Sequence, residues 1–128
     1  MTGSEWMDLA VLERKKYNFL NEVMDLSQQM GGVLDRGDEV SFRMLLAMRE
    51  EPLLHLRELE ETVKNRRKAL AEEDQTRVAA LLAGTAPEGR DETVFVEQSG
   101  KARRLLERVI ELDRKLNRRM AGQDSFYQ

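Results

Sequence analysis

Apolar residues recur along this chain in alternating steps of three and four, the spacing of one helix face packed on another. Over about residues 4–34 the series is Leu9, Leu12, Phe19, Val23, Leu26, Met30 and Val33, broken only by Lys16. Ser4 reads as the N-cap, and a helix of this length spans about 45 Å. In the run Asp35-Arg36-Gly37-Asp38, Gly37 is placed to take the left-handed stop and Asp38 to cap the next helix. The second seam is Phe42, Leu45, Leu56, Leu59, Val63 and Leu70, interrupted by Arg49, Pro52 and Arg66. Pro52 lacks a backbone donor and clashes with the preceding turn, which predicts a kink, or a break with Pro52 in the first turn of a fresh helix. Asp74 offers a cap for a short extra helix near 75–83 carrying Val78, Leu81 and Leu82, stopped by Gly84. A loop to Asp91 follows, then a last helix from about Glu92 to Ala121 with the seam Phe95, Ala102, Leu105, Val109, Leu112 and Leu116. Gly100 inside it costs about 1 kcal/mol relative to Ala. Thr93-Val94-Phe95-Val96 is the one short β-like run. The pattern predicts an all-α fold: an elongated antiparallel bundle of three main helices, residues 1–122 as a single helical domain and 123–128 as a mobile C-terminal tail.

Composition narrows the chemistry. The 128 residues contain no cysteine and one histidine, with 21 Lys+Arg against 24 Asp+Glu and a net charge of −3. A disulfide framework, thiol catalysis and Cys-containing metal sites are excluded, as is a three-His zinc site. No apolar run approaches the ~20 residues of a membrane span, and the N-terminal sequence carries charges where a signal peptide is apolar. The expectation is a cytoplasmic protein without membrane insertion. His55 lies between Glu51 and Glu58 on a helix, without a second His or a Cys, and is read as a partly buried structural residue. The carboxylate runs stand beside Arg or Lys at helical spacing, as on a solvated helix face. The basic clusters come without interleaved aromatics and on a negatively charged chain, which disfavours nucleic acid. Lys16, Arg49 and Arg66 fall on apolar seams, an anomaly that helical chorismate mutases also show, but the ordered Arg, Lys and Glu/Gln positions of that family are not matched. Long cations reaching out from the seam edge are the simpler account. The reading is therefore no enzyme, no metal and no cofactor.

A second stripe on the first helix is formed by Trp6, Ala10, Tyr17 and Met24, about 110° around from the main seam. On the last helix Leu106 and Ile110 flank the seam in the same way. These stripes are either the wide faces of a three-helix core or a partner-binding surface, and seven methionines suit the latter. Trp6, Tyr17, Met24, Leu106 and Ile110 are the candidate partner-binding residues. Phe126 and Tyr127 in the tail are candidates to cover the groove until a partner arrives. A homodimer through Trp6, Tyr17 and Met24 is the expected state of the isolated protein.

The chain resembles the FlgN/FliT-type flagellar export chaperones over about residues 15–120. The matching residues are Leu34-Asp-Arg-Gly37-Asp38, Leu45-Leu46, and Arg49-Glu50 followed by Leu53, Leu56 and Leu59. A short Val78/Leu81-Leu82 segment then precedes the last helix, with Leu105, Leu106, Val109, Leu112, Leu116 and Asn117. Pro52 departs from the uninterrupted second helix of the family pattern. The resemblance implies a cytoplasmic, non-catalytic chaperone that binds a helical segment of an export substrate, such as a hook-associated protein, by a helix-in-groove contact. The alternative is a structural or regulatory coiled-coil interaction module with no export role.

Overall fold

The computed structural model describes residues 1–122. They form four helices, α1 (Gly3–Asp35), α2 (Glu39–Lys68), α3 (Glu72–Leu82) and α4 (Gly89–Ala121), and no strand occurs among the described residues. The β-like run 93–96 lies inside α4, where Phe95 belongs to the helical seam and is buried.

Local chemistry sets the helix ends. Thr2, not Ser4, caps α1: its hydroxyl accepts from the Glu5 N–H at 3.1 Å, and the Glu5 carboxylate accepts from the Thr2 N–H at 2.9 Å. Thr2 has a Glu three residues on, which completes a capping box, whereas Ser4 has Met7 there. At the other end Gly37 adopts φ +67°, and the N–H groups of Gly37 and Asp38 return to the carbonyls of Leu34 and Val33. This paired closure satisfies the last turn, and Asp38 then caps α2 through the Ser41 N–H. The expected Asp74 cap is not used: α3 starts at Glu72, and Asp74 lies in its first turn. Gln75 instead donates to the Lys68 and Leu70 carbonyls and so ties α3 to the end of α2.

Pro52 is buried within α2, which is one helix rather than two. The core residues on both sides of it, Phe42 and Leu45 before and Leu59 after, hold the helix in place. That burial outweighs the lost backbone bond, which costs about 3 kcal/mol in an isolated helix interior.

Long-range contacts fix the directions. Arg49 reaches Ser27 and Arg66 reaches Asp8, so α2 runs opposite to α1. Trp6 meets Phe95 and Arg119 reaches the Gly31 carbonyl, so α4 runs along α1 in the same sense. The helix α1 lies between α2 and α4 and packs extensively on both.

The core changes membership along its length. Near the α1–α2 turn it consists of Met30, Val33, Leu34, Phe42, Leu45 and Leu116, from α1, α2 and α4. In the middle Leu20, Val23, Leu105 and Val109 are joined by half-buried Leu53 and Leu56 of α2. At the far end Trp6, Leu9, Val78, Leu81 and Phe95 pack together, and α3 has taken the place of α2. Arg77 of α3 locks this end by hydrogen-bonding both carboxylate oxygens of Glu92 on α4.

Candidate functional site

The exchange of α2 for α3 leaves an opening. A groove of about 600 Å³ lies between the first half of α1, the last three turns of α2, and α3. Its apolar floor is Leu56, Leu59, Val63 and Ala79. The first three are consecutive seam positions of α2, spaced three and four, over about 10 Å of helix. Leu59 is buried, while Leu56 and Val63 are half-buried. In a closed bundle such positions receive the side chains of a third helix; here they line the open groove instead.

The level of α1 that faces this opening is polar. Trp6, Glu13, Leu20, Ser27 and Leu34 recur every seven residues, and all but Glu13 are buried. Glu13 and Lys16 both line the groove. Burial pushes the Glu13 carboxyl above the usual carboxylate range, against the opposing pull of Lys16 and Arg67. Lys64, Arg67 and Lys68 of α2 add three more cations, and Glu60 and Glu72 two more acids.

The other polar level is closed. Ser27 has 0% exposure, and its hydroxyl accepts from Arg49 Nη1 at 3.1 Å. The same nitrogen donates to Asp113 Oδ1 of α4 at 2.7 Å. Arg49 thus joins all three long helices through one side chain. Arg66, by contrast, forms an exposed pair with Asp8. The three seam-breaking cations therefore have three different placements.

Trp6, expected at a partner surface, is packed in the core at this end of the bundle. It is 7% exposed, with its ring 5.6 Å from that of Phe95, because α3 folds over this end of the bundle. Ala10 is buried too. Tyr17, Met24 and Leu106 are half-buried against the middle core, and Ile110 is 41% exposed. The second stripe of α1 is thus largely the wide face that a helix needs when it packs on two others. The burial of Trp6 leaves it little surface to offer a second copy of the chain in this arrangement. Leu106 packs in the same cluster as Leu56, which also lines the groove, but neither Leu106 nor Ile110 lines the groove itself. Phe126 and Tyr127 lie outside the described residues. His55 stacks on Phe19 at 5.0 Å, with Glu51 and Glu58 at 3.7 and 3.8 Å. Among the described residues no three His, Asp or Glu side chains are grouped to hold a metal ion, and no helix is long and apolar enough to cross a membrane.

Sequence reasoning found Arg49 and Lys16 as anomalies but missed Glu13, Ser27 and the α2 floor as a site. The seven-residue recurrence through Trp6, Glu13 and Ser27 is the signal that marks two of them. Comparison with protein-family models, with curated proteins and with solved structures finds no match to this chain.

Proposed function

We propose that this is a cytoplasmic, non-catalytic chaperone of the FlgN/FliT type, built as an elongated antiparallel bundle of three main helices. It holds a helical segment of an export substrate, such as a hook-associated protein, in the groove between α1, α2 and α3. The observation that carries the reading is the row Leu56, Leu59 and Val63, at seam spacing, facing an open groove. An amphipathic helix with apolar residues at i, i+3 and i+7 supplies the missing knobs. Leu106 and Ile110 extend the contact beyond Leu56.

The test is calorimetry with the C-terminal helices of hook-associated proteins from the same cell. Saturable binding that weakens at least about tenfold in Val63→Asp, about 1.4 kcal/mol or more, and less in Ile110→Asp, with helicity unchanged, supports the groove. Absence of binding to any export substrate favours the coiled-coil module instead. That second reading has its own observation: Val40, Met44 and Met48 form an exposed apolar row at four-residue spacing on the outer side of α2.

A further inference from the structure

The charged lining of the groove has a sign. Lys16, Lys64, Arg67 and Lys68 all line it, and none forms an ion pair among the described residues. Outside the groove six arginines, Arg43, Arg49, Arg66, Arg77, Arg114 and Arg119, meet a carboxylate, while others such as Arg57, Arg103 and Arg108 form no ion pair among the described residues, so it is the gathering of four cations in one groove that is distinctive. Three acids, Glu13, Glu60 and Glu72, share the lining and form no ion pair among the described residues either. The lining thus holds four cations against three acids, and burial works against the charge of one of those acids, Glu13. Cations in the last turns of α2 are favoured by the helix dipole alone. That does not account for Lys16, which sits in the middle of α1 on a seam position that an apolar residue would fill.

We infer that the helix held in this groove is acidic as well as apolar, with Asp or Glu residues flanking its anchors so that they meet Lys16, Lys64, Arg67 and Lys68. The inference rests on the helix-binding reading above and adds the chemistry of the partner. An apolar anchor row supplies affinity, while the cations orient the segment and speed its capture, since complementary charge acts most on encounter and on rejection of wrong partners. A segment flanked by Lys brings like charges together at the rim and is disfavoured.

The experiment uses two labelled helical peptides of equal length and identical leucine positions, one flanked by Glu and the other by Lys. Binding to the full chain is read by fluorescence anisotropy at low and at high ionic strength. The Glu peptide is expected to bind at least about tenfold more tightly at low salt, with the gap shrinking at high salt. Lys64→Glu should narrow or invert the preference. Lys68→Gln, a milder change at the helix end, should narrow it without a charge reversal that threatens the fold. Equal binding of both peptides, or tighter binding of the Lys peptide, overturns the acidic partner and leaves the helix groove standing. Absence of saturable binding by either peptide overturns both.

Discussion

The Arg49 junction offers a quantitative test of how the three long helices are held in register. The arginine side chain is 14% exposed, Ser27 is fully buried, and Asp113 is 42% exposed. Replacing Arg49 by Met keeps most of the packed stem. It removes the hydrogen bond to Ser27 and the pair with Asp113, together worth about 2 kcal/mol given how wet the Asp113 end is. It also removes Nε, a buried donor with no hydrogen-bond partner among the described residues, which offsets part of the loss. The expected cost of Arg49→Met is about 1 kcal/mol. Asp113→Ala should cost more, about 2 kcal/mol, because it strands a mostly buried guanidinium. The double variant should then resemble Arg49→Met alone, a coupling of about 2 kcal/mol. Urea unfolding, followed by circular dichroism at helical wavelengths and by Trp6 fluorescence, measures all four corners of the cycle. The two signals report different layers of the core, and their coincidence would establish the two-state behaviour on which the arithmetic depends. Costs that simply add, to within about 0.5 kcal/mol, would show that the junction is a surface contact and not the clasp between α2 and α4.

Three further outcomes are expected. Trp6→Ala should lower stability by about 3–5 kcal/mol with no change in mass by light scattering; an altered oligomeric state at unchanged stability would return Trp6 to an interface. Glu13 takes up its proton more readily in the folded chain, so its ionisation weighs against folding above its raised pKa and not below the ordinary carboxylate range. Glu13→Gln should therefore raise the melting temperature at neutral pH, and the gain should vanish on acidification; a loss at neutral pH refutes this. Glu92 behaves in the opposite way: the Arg77 hydrogen bonds and the Glu88 N–H hold its carboxyl below the usual range. Its contribution is complete above the ordinary carboxylate pKa and disappears as pH falls through the lowered value. Glu92→Gln should speed amide exchange across α3 at neutral pH, and unchanged exchange there would mean that α3 is held by its apolar face alone.

Much of the architecture was legible because it is local. The Gly37–Asp38 turn needs only a residue free to adopt positive φ and a carboxylate to cap, and both stand in the sequence. The seams of α2 and α4 are periodic enough to mark Phe42, Leu45, Phe95, Ala102, Leu105, Val109 and Leu116 as core positions, and all seven are buried. The fate of Trp6 was not local. Its burial depends on α3, eleven residues long, returning across the end of the bundle, and nothing near Trp6 encodes that return. The same holds for Ser27: it reads as a polar residue on a helix, and only Arg49, distant in sequence, makes it a core position. At Pro52 the break offered as one alternative does not occur, since its local cost is real and the packing that outweighs it is tertiary.

The groove itself follows from this distinction. On α1 the heptad line Trp6, Glu13, Leu20, Ser27 and Leu34 carries two polar residues at core positions. A polar core position must be satisfied or left wet. At Ser27 the bundle closes, because α2 supplies a long cation and α4 a carboxylate at the same height. At Glu13 no such pair arrives. Arg67 and Lys16 are near enough to pull on the carboxyl but make no ion pair with it, and burial prevails. Closing α2, α3 and α1 tightly at this level would bury Glu13 and Lys16 further, and the desolvation cost grows faster than their attraction unless the geometry is ideal. The opening is thus the lower-energy arrangement for this sequence, and the apolar seam of α2 is left facing it. An incoming helix that brings apolar anchors for Leu56, Leu59 and Val63 gains what the chain could not bury by itself. A helix that also brings carboxylates for Lys16, Lys64 and Lys68 completes at this level what Arg49 and Asp113 complete at the other.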